Sequence, residues 1–185
     1  MKVVNSVVRL MCITLVCGLM FASCGGGAGS AEKMFSEGLT ACEIAEKLKD
    51  SGSGGSLKEG IIYQAEMFCF KPIKDVRLIG NFNNIDSCTV EGELYSGILK
   101  MYKKALNQFK DVKFKFENGN FYAVDKDSFQ EVGSYKQEGE VITVYQKNGE
   151  VATTFYYQKG ILWQNNMEGD SSLIVIYKKK DDAQE

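Results

Sequence analysis

The second half of the chain alternates apolar and polar residues with a period of two, which is typical of half-buried β-strands. The clearest case is Val112–Phe116, where three apolar residues alternate with two lysines. The Asn-Gly pairs at 118–119 and 148–149 favour tight hairpin turns, because both central positions of a type I′ turn need positive φ. Residues 112–178 are therefore predicted to form seven strands, each joined to its neighbour by a short turn.

An eighth strand is predicted at residues 61–70, where Pro72 ends it. Residues 71–88 are predicted to be irregular, and residues 165–171 to form a loop. An eight-stranded antiparallel meander leaves two exposed edges unless its last strand pairs with its first. Closure predicts a mainly β fold, a small up-and-down barrel.

Two amphipathic helices are predicted outside the meander. Residues 31–50 carry apolar side chains at helical spacing, and Thr40 with Glu43 has the form of a capping box, so this helix can restart at Thr40. Residues 90–109 carry an apolar stripe at i, i+3 and i+4 spacing. This second helix follows the first strand and could cover one open end of the barrel.

An apolar run at residues 10–21 follows Lys2 and Arg9 and is too short to span a membrane. Leu-Met-Phe-Ala-Ser-Cys at 19–24, at its end, resembles the lipobox of bacterial lipoproteins. The resemblance implies a signal peptide that is cleaved before Cys24, and acyl chains such as palmitate on Cys24. It also implies a bacterial cell-envelope protein that is anchored in a membrane through this lipid. Since residue 25 is not Asp, the outer membrane is favoured; an ordinary secretory signal is the alternative.

Composition limits the chemistry that the chain can perform. The sequence contains no histidine, which excludes Ser-His-Asp and Cys-His catalysis in their usual forms and removes the commonest zinc ligand. The 22 basic and 24 acidic residues are nearly balanced, without the basic stripe that nucleic-acid binding needs. We therefore expect no enzyme activity, no cofactor, no metal site and no nucleic-acid partner.

Three cysteines remain once the signal peptide and Cys24 are set aside, so a monomer can form at most one disulfide. Cys69 and Cys88 flank the same connection, which favours them as the pair and leaves Cys42 as a thiol. The alternative is that all three are small buried apolar residues.

Two segments of the meander carry a second family resemblance. Residues 116–121 read F-x-x-G-x-F, one residue shorter than the family's F-x-x-x-G-x-F, residues 133–144 follow G-x-Y-x-x-x-G-x-x-I-x-V, and residues 173–178 fit a last strand. This pattern resembles bacterial lipocalin-like domains over residues 61–178. It implies an eight-stranded lipocalin-like β-barrel with a helix inserted after the first strand, preceded by an N-terminal helix.

The predicted organisation along the chain has five parts. They are a signal peptide at 1–23, a Gly-rich tether at 24–30, an amphipathic helix with its linker at 31–56, a lipocalin-like domain at 57–180 and a polar tail at 181–185.

Aromatic residues in the meander suggest a binding function. Candidate ligand-binding residues are Phe114, Phe116, Tyr135, Phe155 and Trp163. If they surround a cavity, the barrel could bind a small hydrophobic molecule or a lipid. If they fill the barrel, the chain would instead serve as an envelope scaffold or protein-interaction module whose partner the sequence does not name.

Overall fold

The computed structural model describes residues 31–51, 54–125 and 128–180. The predicted signal peptide, Cys24, the tether and the polar tail lie outside the described residues. The strands are β1 (Ile62–Lys71), β2 (Arg77–Asn81), β3 (Thr89–Glu91), β4 (Lys113–Glu117), β5 (Asn120–Asp125), β6 (Ser128–Glu138), β7 (Val141–Gln146), β8 (Val151–Gln158), β9 (Ile161–Glu168) and β10 (Ser171–Lys179).

Eight strands close into an antiparallel barrel, as predicted. Strands β4 to β10 form a meander, β1 pairs with β4, and β10 pairs with β1 from Tyr63↔Lys179 to Lys71↔Ser172. The architecture is consistent with a lipocalin-like barrel. We call the end that carries the turns at 118–119, 139–140 and 159–160 the turn end.

The other end of the barrel, where β1 finishes and β10 begins, is named the helix end. Its helix α3 (Ser96–Leu106) and the following 3₁₀ turn at Asn107–Phe109 place Leu106 and Phe109 in the barrel core. The predicted helix thus exists and covers an open end, but it begins six residues later than expected. The residues before it are extended, because Thr89–Glu91 pairs with β2.

The segment predicted to be irregular is largely regular. Strand β2 pairs with β1 at Met67–Phe70, beside the short β1–β4 pairing at Ile62–Gln64, and residues Phe82–Ser87 form a 3₁₀ helix. The predicted loop at 165–171 is also wrong in extent. Strand β9 continues to Glu168 because Ser171 and Glu168 remain paired across a tight turn.

The N-terminal region forms two helices, α1 (Ala31–Ser36) and α2 (Ala41–Lys49). Helix α2 restarts at Thr40 with the predicted capping box, in which the Thr40 hydroxyl accepts from the Glu43 amide and the Glu43 carboxylate accepts from the Thr40 amide. Its buried face packs on the outside of the barrel against Ile161, Trp163 and Ile176. Full burial of each large aliphatic side chain in this face contributes about 1.5–3 kcal/mol.

The disulfide joins Cys42 of α2 to Cys69 of β1, with a Cα–Cα distance of 5.5 Å. The predicted Cys69–Cys88 pair is therefore wrong, and Cys88 is a half-buried thiol. The physical reason is the direction of the side chain. Cys69 lies on the outer face of β1, against the helix, whereas Cys88 packs beside the barrel core. The bond fixes α2 to the barrel wall.

Candidate functional site

The barrel interior is filled by aromatic rings. Three of the predicted ligand-binding residues, Phe114, Phe116 and Phe155, are completely buried there. The ring of Phe114 lies at the centre, 5.0 Å from Phe155 and 4.9 Å from Tyr177 between centroids. These separations are typical of aromatic pairs in contact. The three phenylalanines therefore pack against one another and do not surround a lumen.

A short segment closes the turn end. Glu59 precedes β1, and its carboxylate accepts hydrogen bonds from the amides of Asn118 and Gly119 and from the hydroxyl of Tyr135. These three donors hold the pKa of Glu59 below its usual range, with Tyr135 as the largest contributor. Tyr135, the fourth predicted residue, is half-buried with its ring 4.9 Å from Phe116. It therefore secures the closure of this end.

Gln137 holds the same segment through hydrogen bonds to residues 55 and 57. Its side-chain oxygen accepts from the Leu57 amide at 3.0 Å, and its side-chain nitrogen donates to the Gly55 carbonyl at 2.9 Å. Leu57 packs against the barrel core from this position. The turn end is thus covered by backbone that is held through side-chain hydrogen bonds.

Trp163, the fifth predicted residue, lies outside the barrel. Its ring stacks on Tyr156 at 4.6 Å and its indole nitrogen donates to Gln158 at 2.9 Å. It is buried by helix α2 and belongs to the outer cluster. Alternation along β9 explains the correction, because Leu162 points into the core and its neighbour Trp163 must point out.

An apolar cleft of about 260 Å³ opens at the helix end, between α3 and the β9–β10 hairpin. We call it the mouth cleft. Its lining is mainly apolar and comes from three parts of the fold. The residues are Phe70, Ala105, Leu106, Phe109, Asn166, Met167, Glu168, Ser171 and Leu173. The sequence predicts a helix that could cover this end of the barrel, but no local pattern indicates a cleft beside that helix.

Behind the mouth cleft, the buried polar groups are paired with one another. Asn166 lines the cleft, and Gln164 lies two residues deeper on the same face of β9. The Gln164 side chain accepts from the Tyr177 hydroxyl at 2.9 Å and donates to the hydroxyl of Thr153. Burial raises the pKa of Tyr177 above its usual value, so this phenol stays protonated and remains a donor. Deeper in the barrel than Asn166, the Gln164 side chain thus has hydrogen-bond partners for both its oxygen and its nitrogen.

The described residues offer little for metal chemistry. Residues 31–51, 54–125 and 128–180 contain no group of three or more Cys, Asp or Glu side chains that could hold a metal ion. Within the same ranges, no helix combines the length and the apolar character that crossing a bilayer needs.

The fold defines a class, the small closed meander barrels that include lipocalin-like proteins. Comparison of the chain with models of known protein families, with curated proteins and with solved structures gave no significant match. The candidate function is therefore inferred from the residues of this chain.

Proposed function

We propose that the chain is a non-enzymatic bacterial envelope protein, anchored through lipid on Cys24, that binds part of a small hydrophobic molecule such as one acyl chain of a lipid. The mouth cleft is the binding site in this proposal. The barrel interior is not the proposed site, because the buried rings of Phe114, Phe116 and Phe155 occupy it.

The observation that carries this proposal is the composition of the mouth cleft. Phe70, Leu106, Phe109 and Leu173 turn apolar surface toward a space of about 260 Å³. Ligand pockets for whole drug-sized molecules enclose roughly 300–1,000 Å³, so this cleft suits a chain end or a ring better than a complete lipid. Asn166, Glu168 and Ser171 supply polar groups that could orient such a ligand.

Titration with a fluorescent fatty-acid analogue tests the cleft. Ala105 is exposed and lines the cleft, so A105W should fill the space without disturbing the core. We expect saturable binding to the natural chain and its loss in A105W. The matched control is K136W, which places an indole on an exposed position of β6 near the turn end and should bind normally. Equal binding by A105W and K136W would show that the cleft is not the site. If neither variant nor the natural chain bound the analogue saturably, the proposed hydrophobic ligand would be ruled out.

Growth of cells with an alkyne-tagged fatty acid tests the anchor separately. The natural chain should incorporate the tag and C24S should not. Equal labelling of both chains, or of neither, would contradict lipidation at Cys24 whatever the mouth cleft does.

The filled barrel supports a second candidate function, an envelope scaffold or protein-interaction module without a ligand. Its support is the absence of an open lumen among the rings around Phe114. Chemical cross-linking in cells at native expression tests this candidate. A defined hetero-complex would favour it, whereas recovery of monomer alone would count against a stable partner.

A further inference from the structure

The large hydrophobic side chains that remain exposed are gathered at the helix end. Six are exposed among the described residues. Three of them lie in α3 or directly before it, and the other three lie at strand ends or in a loop at the helix end. They are Ile73, Tyr95, Ile98, Met101, Val151 and Met167. Tyr95 is 84% exposed, Met101 58% and Met167 56%. Scattered exposed apolar residues are ordinary, but their concentration around one opening marks an interaction surface.

The same end carries a basic helix. Residues 96–109 contain Lys100, Lys103 and Lys104 and no acidic residue. Together with Lys110, these lysines line an open groove of about 500 Å³ beside the 3₁₀ helix at 82–87, where Asp86 is the one carboxylate. Lys103 donates to the Asp86 backbone carbonyl at 2.7 Å. Exposed apolar side chains next to lysines on one helix are the combination that binds anionic membrane surfaces.

The path of the N-terminal helices is compatible with an anchor at this end. Helix α2 starts near the helix end, where Cys42 is bonded to Cys69, and finishes near the turn end, where the Leu48 carbonyl accepts from Gln158. The chain therefore approaches α2 from the half of the wall nearer to the helix end. The seven residues 24–30 allow a lipid on Cys24 to lie at most about 25 Å from Ala31.

We propose that the helix end is a membrane-docking face that lies on a bilayer with anionic headgroups, so that the mouth cleft opens toward lipid. Tyr95, Ile98 and Met101 enter the interfacial layer, and the exposed Lys100 and Lys104 contact the headgroups. The proposal depends on the lipid anchor of the proposed function, but it does not depend on a ligand in the cleft.

Fluorescence quenching by brominated lipid tests the orientation. Lipidated full-length protein is reconstituted into vesicles of phosphatidylethanolamine and phosphatidylglycerol with dibrominated acyl chains. The chain has one tryptophan, Trp163, which is buried under α2 and gives the background. Y95W adds an indole at the docking face, and K136W adds one near the turn end. We expect strong quenching of the added emission in Y95W and none in K136W.

The lysines provide a second measurement. Each lysine near an anionic surface contributes a factor of roughly 5, so K100Q/K104Q should lower the docking equilibrium constant roughly 25-fold. In the Y95W background this change should lower the quenching, and so should replacement of phosphatidylglycerol by phosphatidylcholine. Met101→Gln is a milder variant that should reduce the quenching with all lysines present.

Three results would overturn the docking face, and each differs from failure of the anchor. Vesicles that float with the protein but leave the added indole of Y95W unquenched would show an anchored protein that does not dock. Equal quenching of Y95W and K136W would show that the barrel has no fixed orientation. A photoreactive amino acid at position 95 that cross-links one envelope protein in cells, without lipid quenching, would assign this face to a protein partner. Failure of the anchor would appear as protein that carries no fatty-acid label and does not float.

Discussion

The disulfide between Cys42 and Cys69 should be a major source of stability. It closes a chain segment with a sequence separation of 27 residues. In the chain-entropy treatment, a loop of this length removes about 12 cal/mol/K from the unfolded ensemble, or about 3.6 kcal/mol at 25 °C. The double variant C42A/C69A leaves the eight-stranded pairing and the buried face of α2 in place. It should therefore fold, with a free energy of unfolding that is about 3.6 kcal/mol lower.

Urea and thermal unfolding of the oxidised natural chain and of C42A/C69A measure the loss. For a chain of this size, the predicted change corresponds to a fall of roughly 7–14 °C in Tm. The control is C88A, because Cys88 forms no disulfide and its replacement should alter the urea midpoint far less. Reduction of the natural chain should reproduce the stability of the double variant.

Two results would refute this reasoning. A peptide map under non-reducing conditions that joins Cys69 to Cys88 would show that the covalent link is elsewhere. An oxidised Cys42–Cys69 bond whose removal leaves the urea midpoint unchanged would show that unfolded-chain entropy is not the source of stability here.

Three further changes test the barrel. F114A removes a completely buried ring from the centre of the interior and should cost about 3–5 kcal/mol in urea unfolding, whereas a loss below 1 kcal/mol would mean a loosely filled barrel. G133A would place a Cβ 1.9 Å from the Tyr145 carbonyl oxygen, so we expect about 1–3 kcal/mol of destabilisation, and an unchanged Tm would contradict this close approach. The pKa of Glu59 is lower in the folded than in the unfolded chain, so its bonds stabilise the fold above the unfolded pKa and are lost on acidification below about pH 4. E59Q should remove this part of the acid dependence, which urea midpoints across that range would measure; identical pH profiles for the two chains would contradict it.

The meander could be predicted from sequence because its signals are local. Asn-Gly turns and period-two alternation specify neighbouring strands without reference to the rest of the chain. Two exposed edges are costly, which predicts closure, and β1 and β10 do pair from Ser172 to Lys179 of β10.

The inward and outward faces of β1 could not be assigned from the sequence, because a bulge interrupts the alternation of its side chains. The register shifts between Ala65 and Met67, which brings Tyr63 and Ala65 to the same inner side as Phe68. Strict alternation would assign Phe68 to the opposite face from Tyr63. The same shift directs Cys69 outward to α2, so the disulfide could not be deduced from connection length alone.

The mouth cleft depends on long-range placement that no local pattern contains. Leu106 and Phe109 belong to the core, and the cleft forms beside them because the β9–β10 hairpin replaces the loop predicted at residues 165–171. Trp163 was misplaced for a related reason. A tryptophan in a strand can pack on either face of the sheet. Only the packing of α2 against the outer wall excludes water from the outer face.

The pairing of β1 with β10 also determines when the protein can fold. Tyr63 meets Lys179 and Lys71 meets Ser172, so the contacts that close the barrel join positions more than one hundred residues apart. Contacts of such high sequence separation form slowly, and none of them can form until the last strand is available. A chain that is still being synthesised keeps β1 without its main partner. Completion of the C-terminal strand is thus the event that permits the native state, and a chain truncated before Ser171 should persist as an aggregation-prone open sheet.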